Sequence, residues 1–353
     1  MPFMTTTAAQ LLTTFYPAIG PVQTIDAPPR SGFSGAAVYR VTAGPQTYAL
    51  RRWPAVMDAS RLRELHDLLG SIAASGMTVV PVPILTASLT SIATPAGSLW
   101  QLEPWLPGRA DFWERSTSSR LDAACRTLAH WHVAALRAAH LKSHEWFRVI
   151  RQSPSPTIVD RSRSMRDYLA GSLERIELGL MRERSQPLRE CGITITTSVR
   201  ADVSRLLREA DELSLLRVDL QPVIRDVWHD HMLFEGDVVT GLIDYGAART
   251  ETVATDLSRM LGSLIADARE SWDAGLCAYE QVRPLTSNER RLIPWLDRSN
   301  VLLSGLTWLR RRYVDGTLDD VPDAVQERLQ RIADRCQSEG SGNSEFRIGR
   351  DPL

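Results

Sequence analysis

Lysine is almost absent from this chain: Lys142 is the only one in 353 residues, so nearly all positive charge is arginine. No lysine is available on an N-terminal strand to hold an anionic group, and any such duty falls to the planar fork of arginine. Cysteine is scarce too. Cys125, Cys191, Cys277 and Cys336 are widely spaced, with no C-x-x-C pair, which excludes a disulfide scaffold and reads as thiols in a reducing compartment. No uninterrupted apolar run reaches membrane-spanning length, and Met1 to Gly20 lacks the basic n-region of a secretory leader, so a cytoplasmic location is expected. Net charge is missing as well. With 41 basic against 42 acidic side chains the balance is −1, offering no chain-wide field for nucleic acid and no dense basic tract for a membrane surface. Composition says nothing of oligomeric state.

What is present suits a globular chain with a core shared between two lobes, since 43% of the residues are hydrophobic. Residues 5 to 16 read as a helix. Ala37 to Thr42 and Thr47 to Trp53 alternate as a β-hairpin around Ala43-Gly44-Pro45-Gln46. Just before it, Gly32 and Gly35 in Ser-Gly-Phe-Ser-Gly form a turn that lets backbone approach an anion closely. Residues 58 to 74 carry Leu62, Leu65, Leu68, Leu69 and Ile72 on one helical face, with Glu64 beside the stripe. Pro81 to Leu85 and Leu99 to Leu102 read as two more strands, for a sheet of about five. Glu103-Pro104-Trp105-Leu106-Pro107-Gly108 cannot continue helix or sheet and reads as a connector.

Beyond it the pattern is helical. Leu121, Cys125, Leu128, Trp131, His132 and Ala135 recur at three and four residues; residues 143 to 200 are less regular, with a helical piece near Met165 to Met181. Val203, Leu206, Leu207, Ala210, Leu213 and Leu216 form an amphipathic helix. Helices are expected again over about 255–267, 269–282, 286–313 and 320–336, and residues 337–353, poor in apolar side chains, read as a disordered tail.

The most informative stretch runs Arg225-Asp226-Val227-Trp228-His229-Asp230-His231, followed by Ile243-Asp244-Tyr245-Gly246. Between them, His231 to Phe234 and Val238 to Ile243 pair as a hairpin around Glu235-Gly236-Asp237, which puts Asp226 and Asp244 near the same end of a β-ribbon. Two carboxylates so placed suit phosphoryl transfer, one orienting an attacking hydroxyl and the other holding a metal that bridges nucleotide phosphates.

These residues resemble the aminoglycoside phosphotransferase and choline kinase-like family, small-molecule relatives of protein kinases. The family pattern H-G-D-x-x-x-x-N, hairpin, I-D-[WFY]-G, then D-L, is met in register by Asp226, Asp244, Gly246 and Asp256-Leu257. Three positions depart from it: Ile224 stands for the His, Arg225 for the Gly, and His231 for the metal-ligand Asn. The resemblance implies an α+β bilobal fold, with a nucleotide-binding lobe over residues 1–103 built on a small antiparallel sheet, and a mainly helical catalytic and substrate lobe over 104–336. It implies ATP and a divalent cation, Mg²⁺ or Mn²⁺, as cofactors, and a small molecule bearing a hydroxyl group as substrate. Asp226 takes the catalytic place and Asp244 with His231 the metal place. Gly32, Gly35, Arg51, Glu64, Glu103 and Trp105 take the nucleotide's, with Arg51 paired to Glu64 and the 103–105 backbone and ring at the adenine. A histidine at the metal favours Mn²⁺ and makes activity fall below pH ~6.5.

Two other readings remain open on the residues. One is a kinase-like nucleotide-binding module without turnover, because imidazole is a poor replacement for an amide oxygen on Mg²⁺. The other is a metal-dependent hydrolase, in which His229 and His231, one residue apart on a strand, face the same side and share a zinc-type ion with Asp230 and Asp244.

Overall fold

The computed structural model describes residues 2–26, 36–142, 144–318 and 321–338. Gly32 and Gly35 lie outside them, as does the expected tail from residue 339 onward.

Helix α1 (Pro2–Phe15) leads into a four-stranded antiparallel sheet in which β1 (Val22–Asp26), β2 (Ala37–Ala43), β3 (Gln46–Arg52) and β4 (Trp100–Pro104) are neighbours in that order. The β2–β3 hairpin keeps unbroken register from Ala37 opposite Arg52 to Ala43 opposite Gln46. Its two-residue turn needs a positive φ, which Gly44 supplies at +57°. Leu11, Leu12 and Tyr16 pack with Tyr39, Val41, Leu50, Trp100 and Leu102 to form the core of this sheet.

Between β3 and β4 runs α2 (Ala59–Ala74). Asp58 caps it, its carboxylate accepting from the amides of Ser60 and Arg61 at 2.7 and 2.9 Å, and the apolar stripe from Leu62 to Ile72 is buried as the spacing predicts. The fifth strand expected at Pro81–Leu85 does not form. That segment gives β4 a single bond, Ile84 N–H to Leu102 O at 2.7 Å, because prolines at 81 and 83 have no N–H with which to extend a ladder.

The chain continues as α3 (Ser118–Leu141), β5 (Ile150–Ser153), α4 (Pro156–Asp167), a π-helical turn, α5 (Leu173–Met181), α6 (Gln186–Leu213) and β6 (Val218–Val223). The stretch to residue 200 is therefore more helical than its irregular sequence suggests, and Pro187 sits in the first turn of α6 where its missing N–H costs nothing. Then come the hairpin β7 (Met232–Glu235) and β8 (Val238–Leu242), β9 (Arg249–Glu251), and helices α7 (Ala254–Ile265), α8 (Arg269–Glu280), α9 (Ser287–Tyr313) and α10 (Asp323–Ser338).

Two compact units emerge, and they are not successive lobes: one comprises residues 1–149, 221–250 and 278–283, the other 150–220, 251–277 and 284–353. The β7–β8 hairpin falls in the first because β8 packs against α3 and Phe234 exchanges backbone bonds with Arg109 at 3.0 and 2.9 Å. The second is a helical body in which α6, α7, α9 and α10 pack together. Its Arg335 bridges Asp267 and Asp297 at 2.8 and 2.7 Å. Among the described residues no helix is long and apolar enough to cross a membrane.

Candidate active site

Both carboxylates belong to the first unit. Asp226 lies on the loop after β6, and Asp244 follows β8 in a left-handed backbone conformation, φ +63°. Arg225 is also left-handed, at φ +67°. For a residue with a Cβ this conformation costs about 1 kcal/mol or more, and it explains why the resembling pattern has glycine there. The loop thus keeps the glycine's conformation without the glycine.

Strand pairing brings Arg51 to Asp244. Arg51 on β3 stands opposite Gln101 on β4, and Glu103 is two residues further along the same face. Arg51 reaches Asp244 Oδ1 through Nη1 at 3.1 Å and Glu103 Oε1 through Nη2 at 3.9 Å, with its guanidinium over the Trp53 ring. It is only 7% exposed, yet its Nε–H has no hydrogen-bond partner among the described residues. A buried cation with an unused donor beside a carboxylate suits a phosphate. Burial pushes the Glu103 carboxyl above its ordinary range, while Arg51 and the Gln101 amide pull it back.

Behind this pair is a polar chain that the sequence reading missed. Gln101 donates to Glu103 Oε2 at 2.5 Å, and its Oε1 accepts from Trp53 Nε1–H at 2.7 Å and from His66 Nε2 at 2.8 Å. That bond requires His66 to carry its proton on Nε2, so its Nδ1 accepts from Ser91 at 2.9 Å. The available signal was the strand Trp-Gln-Leu-Glu, whose polar residues alternate with apolar ones.

Burial holds His66 down to about 4, below the 6.5 at which an unfolded chain takes up the proton. Its contribution to stability is therefore complete above about pH 6.5 and is lost as pH falls toward 4, on the order of 3 kcal/mol. Urea unfolding at pH 7 and about pH 4 is expected to show a shallower acid loss for His66→Gln than for the parent. Equal losses would mean that the protonated ring is tolerated in the fold.

Glu64 does not meet Arg51. Its two carboxylate oxygens accept the amides of Glu145 and Trp146 at 3.0 and 2.8 Å, since the 144–147 segment passes beside α2 and presents N–H groups needing partners. One turn earlier on α2, Arg61, unnoticed in the sequence, donates to Gly246 O at 3.0 Å and Ala248 O at 2.6 Å, fastening the loop that follows Asp244. Gly246 packs closely there: a Cβ would come to 3.1 Å from the Trp53 ring, so the indole would have to give by a few tenths of an ångström to admit one.

His231 braces the loop that carries Asp226. Its Nδ1 is 2.7 Å from the Asp226 carbonyl, an acceptor, so Nδ1 carries the proton; Nε2 accepts from Trp228 Nε1–H at 3.0 Å and lies 3.6 Å from Asp244 Oδ2. In this arrangement the Nε2 lone pair, expected on a metal shared with Asp244, faces the Trp228 indole N–H and stands beside the Asp244 carboxylate. The hydrolase geometry fails as well. His229–His231 is a turn of 3₁₀ helix and not strand, and the His229 ring stacks on Trp113. Among the described residues, no group of three or more His, Cys, Asp or Glu side chains can hold a metal. Trp105 is 44% exposed with Arg40 over its ring, and its N–H is bonded to Thr47 O at 3.0 Å. Asp256 belongs to the second unit, fully buried in the first turn of α7.

Asp244 offers hard oxygens of the kind that would hold a divalent cation, which characteristically takes one or two carboxylates together with phosphate oxygens and water, and Arg51 is a buried cation of the kind that would pair with phosphate. The residues fit ATP with such an ion.

The model of the phosphotransferase enzyme family matches residues 27–295. A homoserine kinase of Gluconacetobacter diazotrophicus is 27% identical over 268 residues, spanning 73% of this chain and 72% of its own. The fold is shared with a spectinomycin phosphotransferase solved with ADP and spectinomycin, at a TM-score of 0.65 and 11% identity, over 96% of this chain and 95% of that one. An amicoumacin kinase solved with AMP-PNP and Ca²⁺ superposes at a TM-score of 0.57 and 15% identity, over 95% of this chain and 93% of that one. The α+β, protein-kinase-like organisation expected from the motif register is thus the fold of this chain.

Proposed function

The chain belongs to the phosphotransferase enzyme family, an ATP-dependent kinase of small-molecule hydroxyl groups, and we propose that its acceptor is a small hydroxy amino acid or amino alcohol of the homoserine kind. The observation that carries the reading is the 3.1 Å contact of Arg51 with Asp244, which joins a buried phosphate-type cation to a metal-type carboxylate beside the Asp226 loop. The homoserine kinase relative supports the acceptor class.

In this reading Asp226 accepts the hydrogen bond of the substrate hydroxyl and takes its proton as the oxygen bonds to the γ-phosphorus and the bond from that phosphorus to the β,γ-bridging oxygen breaks, ADP leaving with the bonding pair. Arg51 would donate to phosphate oxygens, and Asp244 would hold the divalent cation, Mg²⁺ or Mn²⁺, whose charge offsets that of the phosphates. His231 keeps the Asp226 backbone in place through its Nδ1–H bond, with Trp228 fixing the tautomer. The 103–105 backbone and the Trp105 ring remain the nucleotide-base side of the proposal, with Gly32 and Gly35 at the phosphates.

The test is an ADP-release assay with ATP, Mg²⁺ and a panel comprising homoserine, ethanolamine, choline and spectinomycin. Homoserine or an amino alcohol is expected to stimulate ADP release; stimulation by spectinomycin alone would overturn the acceptor class. Because both His231 nitrogens are engaged, His231→Asn is expected to leave the order of Mg²⁺ and Mn²⁺ preference unchanged while lowering the rate roughly tenfold to a hundredfold through a less well-placed Asp226. A switch from Mn²⁺ to Mg²⁺ preference in that variant would restore His231 as a metal ligand. Nucleotide binding with no turnover on any acceptor would support the module without turnover, the reading that the histidine at this position favours.

A further inference from the structure

Arg51 has two carboxylates within reach, and they are not equivalent. Asp244 is about one third exposed and has its own duty toward a cation, whereas Glu103 is 7% exposed and its second oxygen is fixed by Gln101. A divalent cation held by Asp244 would offset that carboxylate's charge and weaken its hold on Arg51, which would leave Glu103 to orient the fork. Glu64, the helix residue at the place where this pairing is expected, holds two backbone amides instead. Moving it to Arg51 would strip both of those charge-assisted bonds.

We propose that Glu103 on β4, and not Glu64 on α2, is the positioning carboxylate that aims Arg51 at the nucleotide phosphates. The register supports this directly. Arg51, Gln101 and Glu103 share one face of the β3–β4 pair, so their relative placement is set by backbone pairing within one sheet rather than by how a helix docks on it. The Trp53 indole and the His66 ring, both bonded to Gln101 Oε1, hold the amide that in turn holds Glu103. Arg51 then has one edge against Glu103 and an Nε–H that is unpartnered among the described residues and can serve the ligand.

The inference rests on the proposed role of Arg51 at the phosphates, so the experiment separates the two. Calorimetric affinities for ATP and for adenosine, both with Mg²⁺, are compared across the parent, Arg51→Gln, Glu103→Gln and Glu64→Gln. Arg51→Gln is expected to reduce the preference for ATP over adenosine at least about tenfold, and Glu103→Gln to reduce it in the same direction. The Arg51→Gln/Glu103→Gln double variant should be no worse than Arg51→Gln alone, because Glu103 acts through the arginine. Glu64→Gln is expected to lower Tm while leaving the preference at the parent value. In turnover, Glu103→Gln should raise KM for ATP more than it lowers kcat, a split that a general loss of folded protein cannot produce. If Glu103→Gln does not fold, Glu103→Asp, which withdraws the carboxylate by one methylene, is read in the same titration and should show a smaller loss of the same kind. A preference that falls in Glu64→Gln but not in the Glu103 variants overturns this inference alone. A preference untouched by Arg51→Gln overturns the phosphate role itself, and this inference with it.

Discussion

Asp226→Ala is expected to cut phosphoryl transfer by about a hundredfold or more, the scale of losing a positioned base, while ATP affinity stays near that of the parent. The separation follows from the proposed roles: Asp226, on the loop whose carbonyl is held by His231, acts on the acceptor hydroxyl, whereas Arg51 and Glu103 on the β3–β4 pair serve the nucleotide phosphates. Steady-state rates and a calorimetric ATP titration on the same preparation check both halves. Turnover at the parent rate would remove Asp226 from the chemistry; a parallel collapse of ATP binding would show that the loop and not the carboxylate was damaged.

Arg51→Ala carries the second large effect, and it falls on the other substrate. Losing a charge-assisted bond to phosphate costs about 1.5–3 kcal/mol, or roughly ten- to a hundredfold in ATP affinity, whereas adenosine, which has no phosphate, should bind nearly as before. Removing the guanidinium also leaves Glu103 buried without its cation. The carboxyl is already pushed upward by burial, and losing the cation that pulls it back moves it further the same way, at a cost for burying it uncompensated. Reduced thermal stability at neutral pH is therefore expected beside the affinity loss, and the titration must be made on protein shown to be folded. Equal losses for ATP and adenosine would mean that Arg51 merely supports the sheet.

The two acids were readable before any coordinates because their information is local. A loop aspartate ahead of β7 and another just past β8 must lie near one end of a hairpin whatever the rest of the chain does, and the hairpin announced itself through alternation and Gly236. The apolar stripe of α2, the β2–β3 turn and the long helices after Asp256 were equally local, each set by a period or a turn residue. Pro81–Leu85 was misread because its composition is β-prone while its prolines remove the donors a ladder needs.

The partners of Arg51 were a different kind of question. Sequence spacing offered Glu64 as readily as Glu103, because either can stand near a strand arginine, and only the β3–β4 register and the path of the 144–147 segment decide between them. The same holds for His231. Its position in the motif suggested a metal ligand, but which nitrogen carries the proton and which accepts depends on the Asp226 carbonyl and the Trp228 indole, fixed by how the loop folds. Arg61 becomes meaningful only once α2 is placed beside the carbonyls of Gly246 and Ala248. The sequence by itself thus determined the family, the two hairpins, the long helices and the places of the two carboxylates, since periodicity and motif register survive without tertiary context. The tertiary structure alone decided what those residues bond to, because a hydrogen bond or ion pair depends on ångström-scale distance and direction, and those are set by packing between segments far apart in the chain.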